Sequence, residues 1–233
     1  RMINLFETVS AKTFLLVMVS LVIGFVGGTG YTFFLLDNSD DQGKAQGESG
    51  TVVTVPSSFD VSIEGRPFLG NPNAPVTVIE LVDYECPFCE RHHRQVLQEL
   101  LSEYGDSIHY VTLNFPLTSI HPLAFKVSEA AECAHDQGRY WDYRDSIFDS
   151  SGPLDSKMLL NLAELIGLDD SKFTECIMSG SKGELVRRDI ADGLRHGARG
   201  TPSFFINGKL IAGARPLDIF KEVIDAELAK LSN

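Results

Sequence analysis

Cys86 and Cys89 enclose Pro87 and Phe88, and a C-x-x-C spacing lets two sulfurs either bond to each other or share a metal ion. The flanking residues separate those chemistries. Val76-Thr77-Val78-Ile79-Glu80-Leu81-Val82 is β-rich and almost continuously apolar, as expected of a strand buried on both faces. Beyond Cys86, apolar residues recur at Val96, Leu97, Leu100, Leu101 and Tyr104, a helical spacing in line with Cys89 and His93. The pair therefore falls where a strand ends and a helix begins. Proline is favoured at the first helical position, because its missing N–H would be unpaired there in any case. That makes Cys86 the N-cap, with its sulfur facing free backbone N–H groups and the positive end of the helix dipole. Both effects favour thiolate over thiol, so the pKa should fall below about 8.5. Cys89 lies one turn on, facing inward. An exposed attacker and a sheltered resolver are the minimum machinery for thiol–disulfide exchange.

The metal alternative has some formal support, since His92 and His93 lie three and four residues past Cys89. Against it, the two cysteines should point apart and no further ligand cluster is visible. We expect no metal, with His93 packed on the core and His92 solvated. A net charge of −12 argues against nucleic acid, which needs a basic face.

The elements that must hold the pair follow from the periodicities. Residues 108–115 read as a second strand, and 121 to about 195 as helical, with breaks near Gly138, Ser151-Gly152-Pro153, Gly167 and Gly180. Asn207-Gly208 between two apolar runs is a strong hairpin signal. Pro216 then opens a last helix with Leu217, Phe220, Ile224, Leu228 and Leu231 on its apolar face. A βαβ unit and a ββα unit can share one sheet, so the fold class is α/β with an inserted helical domain.

Before this domain, residues 13–36 carry no charge and are long enough, as a helix, to cross a hydrocarbon layer about 30 Å thick. Arg1 and Lys12 precede the run, while Asp37, Asp40 and Asp41 follow it, which puts the N-terminus in the cytoplasm and the rest outside. We expect residues 1–12 to be cytoplasmic and 13–36 to be a transmembrane anchor, with a cleaved signal peptide as the alternative. Residues 37–58 read as a flexible linker and 59–233 as the folded domain. In an exported compartment Cys133 and Cys176, in different predicted helices, should form a structural disulfide instead of remaining separate buried thiols. Tyr140, Trp141 and Tyr143 read as core more readily than as the lining of a groove.

The segment from Val78 through Cys86-Pro87-Phe88-Cys89 resembles the active-site strand and helix of DsbA-like thiol:disulfide oxidoreductases of the thioredoxin superfamily. Gly200-Thr201-Pro202-Ser203-Phe204-Phe205-Ile206-Asn207-Gly208 resembles that family's cis-proline strand and hairpin, and Gly138-Arg139-Tyr140-Trp141-Asp142-Tyr143 its helical insert. The resemblance implies a thioredoxin fold, with Pro202 cis beside the cysteines and Thr201 touching bound substrate. It implies that Cys86 and Cys89 are catalytic, with the cysteine pair itself as redox group and no organic cofactor. It implies exported proteins bearing thiols or disulfides as substrates, and a quinone-linked membrane partner that recycles an oxidase. Glu80 stands where thioredoxin-like proteins keep a buried acid. Its functional reading is a proton acceptor for Cys89, with a pKa raised by burial; the alternative is a partly solvated carboxylate at a sheet edge. Pro87-Phe88 lacks the histidine of the strongest oxidants, and Asp83, Glu85 and Glu90 should raise the Cys86 pKa, leaving the direction of electron flow open.

Overall fold

The computed structural model describes residues 61–231. The anchor and linker expected over residues 1–58 lie outside the described residues.

The chain forms β1 (Phe68–Gly70), β2 (Val76–Val82), α1 (Pro87–His92), a π-helical stretch (His93–Leu97), α2 (Gln98–Tyr104) and β3 (Ile108–Asn114). Then come α3 (Ala124–His135), α4 (Tyr140–Asp149), α5 (Ser156–Leu165), α6 (Asp170–Ser179) and α7 (Gly183–Arg195). Strands β4 (Ser203–Ile206) and β5 (Lys209–Ala212) and helix α8 (Leu217–Ala229) complete it. The sheet order is β1-β3-β2-β4-β5. β2 runs parallel to β3 and antiparallel to β4, so the strand leading to Cys86 is central.

Alternation along the strands divides the core. Val76, Val78, Tyr110, Phe204 and Ile206 pack with Leu97, Leu100, Phe220 and Ile224. Ile79, Leu81, Val111, Leu113 and Phe205 form the other face, against which Ile190 of α7 is laid. Gly193 permits that approach: a Cβ there would sit 2.7 Å from Leu81 Cδ1 and 2.8 Å from the Phe115 ring. The hairpin turns at Asn207 (φ 44°) and Gly208 (φ 85°), the paired positive dihedrals of a type I′ turn. Asn207 Oδ1 accepts from the Thr77 N–H at 2.8 Å, which ties the turn to β2.

The thioredoxin-like α/β sheet is as expected, and the helical block lies between β3 and β4. Tyr140 and Tyr143 are buried in its core, while Trp141 is half-buried and its Nε1 donates to the Phe68 carbonyl at 3.0 Å. Cys133 of α3 and Cys176 of α6 are joined, S–S 1.97 Å, across a sequence separation of 43. In the chain-entropy account such a loop contributes about 4 kcal/mol.

Two expectations need correction. β1 was not anticipated, because a strand this short shows no periodicity. The reading of His92 also needs correction: it is not solvated but fully buried against Tyr110, Phe204 and Phe220, while His93 packs on Phe148 and reaches Asp145 at 3.3 Å. The cause is spacing: His92 stands three residues past Cys89 in the same α-helix, so the two side chains share its inward face.

Candidate active site

β2 delivers the chain to Asp83 and α1 takes it up at Pro87, leaving Cys86 in an extended conformation (φ −81°, ψ 117°) as the N-cap. Cys86 and Cys89 are both free thiols. From the other side of the sheet comes the Thr201–Pro202 peptide, which is cis. The Cys86 thiol donates to the Thr201 carbonyl at 3.4 Å. The structure thus brings together four of the residues singled out in the sequence, namely Cys86, Cys89, Thr201 and Pro202.

The two thiols are driven in opposite directions. A hydrogen bond from Cys89 is the largest influence on Cys86; with Thr201 and the N–H groups of Cys89 and Phe88 it outweighs burial and lowers the Cys86 pKa to about 5. The Thr201 hydroxyl is buried beside Cys86 and helps to lower its pKa. Cys89 is pushed well above the ordinary thiol range, first by burial and then by its role as donor to Cys86. The Asp83 N–H points at its sulfur from 3.5 Å.

The attacker is less exposed than its N-cap position suggested. Cys86 retains 4% of its surface, because the Thr201–Pro202 loop lies over it; the exposed feature is Phe88, at 53%. The acidic neighbours also act otherwise than expected. Asp83 accepts from the N–H groups of Glu85 at 2.9 Å and Leu117 at 2.7 Å and pairs with His121 Nδ1 at 2.8 Å. Glu85 accepts from the Leu123 N–H at 2.7 Å, and Glu90 pairs with Arg94 at 2.9 Å. These carboxylates brace the loops around the cysteines, and the Cys86 pKa falls as its N-cap position implied.

Glu80 requires the largest correction. It is fully buried on the central strand, so the sheet-edge alternative fails. Burial alone would raise its pKa, yet the carboxyl is held below its usual range by Arg144 and by the Tyr110 hydroxyl. Arg144 Nη1 reaches Glu80 Oε2 at 2.7 Å and Nη2 reaches Oε1 at 3.1 Å, while Tyr110 donates to Oε2 at 2.9 Å. Arg144 escaped the sequence reading, although a lone cation on the apolar face of Tyr140, Tyr143, Ile147 and Phe148 is a legible signal. Glu80 is thus an ion-paired carboxylate beneath Cys89, whose thiol it helps to keep protonated.

Because the thiolate is the reacting form, Cys86 alkylation by iodoacetamide should be half-maximal near pH 5 and flat from pH 7 to 8. A rate still climbing about tenfold per pH unit between 6 and 8 would mean an ordinary thiol.

Residues 62–226 match the family model described as thioredoxin. Among curated proteins, the Na(+)/H(+) antiporter NhaA 1 of Salinispora arenicola is 34% identical over 160 residues, 69% of this chain and 24% of the antiporter. The chain thus spans about a quarter of the length of the curated relatives it matches. Among solved structures, a thioredoxin-like oxidoreductase from Silicibacter pomeroyi superposes with a TM-score of 0.64 at 25% identity, over 73% of this chain and 95% of that one. The thiol-disulfide exchange protein alpha-DsbA2 from Wolbachia pipientis gives 0.63 at 22% identity, over 73% and 89%.

Proposed function

Because the chain belongs to the thioredoxin family, we propose that it is an extracytoplasmic thiol:disulfide oxidoreductase that forms or exchanges disulfide bonds in exported proteins through Cys86 and Cys89. The observation that carries this reading is the opposed pair of thiols, one lowered to about 5 and its neighbour raised. The thiol-disulfide exchange protein and the thioredoxin-like oxidoreductase on which it superposes support the same chemistry.

In the reducing direction, the Cys86 thiolate attacks one sulfur of a substrate disulfide, and the other sulfur leaves as a thiolate. Cys89 then loses its proton and attacks Cys86 in the mixed disulfide, releasing the first substrate sulfur. The substrate gains two electrons and the cysteine pair is oxidised. Disulfide formation is the same sequence reversed. Thr201 and Pro202 hold the substrate backbone against Cys86. A membrane partner of the quinone-linked kind would remove two electrons from the pair after each oxidation.

A stabilised thiolate favours the reduced pair and so makes the disulfide more oxidising. Cys86 lies two pKa units below the thioredoxin value of about 7, and about 30 mV per unit places the potential near −210 mV. Equilibration with glutathione measures it. A value near −270 mV would assign the protein as a reductant instead, and one near −120 mV as a far stronger oxidant.

The extracytoplasmic location rests on the apolar run 13–36 and its charged flanks. A reporter fused after Asn233 should be active only outside the cytoplasm; activity inside would overturn this part of the proposal.

A further inference from the structure

Cys89 is fully buried, yet its sulfur must gain a proton when the Cys86–Cys89 bond opens and lose one when it closes. Solvent does not reach it there. The Asp83 N–H that points at it from 3.5 Å is a backbone amide, which does not ionise. Glu80 is the acid whose charge the sulfur feels. Glu80 is held by Arg144 and Tyr110. A guanidinium keeps its protons inside a protein, so of these two only Tyr110 can pass one on.

Beyond Tyr110 the chain of hydrogen bonds continues. The Tyr110 hydroxyl donates to Glu80 Oε2 at 2.9 Å, so its oxygen accepts from His92 Nε2, 3.2 Å away. That places the His92 proton on Nε2 and leaves Nδ1 a bare acceptor, buried and without a partner among the described residues. Burial lowers the His92 pKa to about 4, with Arg144 and His93 adding to the effect and Glu80 opposing it. The ring is therefore neutral, and can take a proton on one nitrogen as it gives one up from the other. His92 also lines a cavity of about 410 Å³ between α1 and the loop leading to α8, where Arg91, Gln95 and Arg215 are exposed. The hydrogen bonds run one way, from the cavity wall to the acid beneath Cys89.

We propose that His92 and Tyr110 form a proton relay between this cavity and Cys89, acting through Glu80. The proposal rests on the reading of Cys86 and Cys89 as an exchanging pair. When a substrate thiolate attacks the oxidised pair, its sulfur bonds to Cys86 Sγ and the Cys86–Cys89 bond breaks, leaving the electron pair on Cys89 Sγ. The charge left there is neutralised along the chain. Tyr110 passes its proton to Glu80 and takes the one on His92 Nε2, and Glu80 delivers to Cys89. His92 Nδ1 takes from the cavity solvent the proton that the substrate thiol released on ionising. The reverse passage removes the proton when Cys89 attacks a mixed disulfide.

The test uses the full chain with the pair oxidised, reduced by excess dithiothreitol in single turnovers and read by acid quench. His92→Gln keeps an N–H for Tyr110 but cannot shuttle a proton. Opening of the bond should slow about a hundredfold, the lower end of what a positioned acid or base contributes. Tyr110→Phe should lose a similar factor. Alkylation of Cys86 by iodoacetamide needs no proton on Cys89 and should keep its native rate in His92→Gln. In His92→Ala, imidazole diffusing into the cavity should restore at least about a tenth of the native rate, and acetamide none. Should His92→Ala not fold, the decision rests on His92→Gln, whose rate should rise with buffer concentration where the native rate does not. Native protein that dithiothreitol fails to reduce would defeat the underlying reading of the pair. Native-like reduction of His92→Gln would defeat the relay alone. A loss shared by alkylation, or one that neither imidazole nor buffer relieves, would likewise defeat it by making the part played by His92 structural.

Discussion

Replacing Cys89 with Ala should stop the exchange halfway and leave partner proteins covalently attached to Cys86. The variant loses the largest of the hydrogen bonds that lower the Cys86 pKa, but Thr201 and the backbone N–H groups at positions 88 and 89 remain, so the Cys86 thiolate still attacks a partner disulfide at neutral pH. What is lost is the intramolecular release, since the sulfur that would expel the partner has gone. Adducts should accumulate on gels run without reductant and vanish when it is added. Cys86→Ala should trap at least about tenfold less, because Cys89 is fully buried and its raised pKa leaves about a hundredth or less of it as thiolate at pH 7. The asymmetry is the test. Equal trapping by both variants would reverse the roles assigned to the two cysteines, and no trapping by either would remove exchange chemistry from them.

Replacing Arg144 with Met should destabilise the domain by about 3–5 kcal/mol, the usual consequence of leaving one partner of a buried ion pair uncompensated. Arg144 and Glu80 are both fully buried, and the same guanidinium also donates to Thr112 Oγ1 at 3.1 Å. For a domain of this size the melting temperature should fall by about 10 °C. Most of the loss should return in Glu80→Gln/Arg144→Met, which removes the stranded charge. The pH dependence is signed. In the native protein the Glu80 pKa is lowered, so its stabilising contribution is present above the unfolded value of about 4.3 and is lost as pH falls through the folded one. In Arg144→Met burial is opposed only by His92 and the Tyr110 hydroxyl and raises that pKa, so the variant should gain stability on acidification where the native protein loses it. A melting temperature within a degree or two of native would deny the pair any structural role.

The architecture was legible because its signals are local. A β-rich, almost continuously apolar run marked β2, Asn207-Gly208 marked the hairpin, and Gly138, Gly167 and Gly180 fall where helices stop. The position of Cys86 followed from Pro87 alone. What could not be read depends on contacts across long stretches of chain. Glu80 and Arg144 are 64 residues apart, and only their meeting turns an apparent proton acceptor into a paired ion. Coverage of Cys86 by the Thr201 loop spans 115 residues and is likewise invisible to periodicity. The burial of His92, by contrast, follows from its i, i+3 spacing to Cys89 within one helix and was legible in the sequence.

The Cys133–Cys176 bond gives each copy of the chain a history. Its formation removes two electrons from a newly made polypeptide, so every molecule must hand them to some acceptor while it matures. Under the proposed function, each copy is thus a client of the same kind of reaction that it carries out.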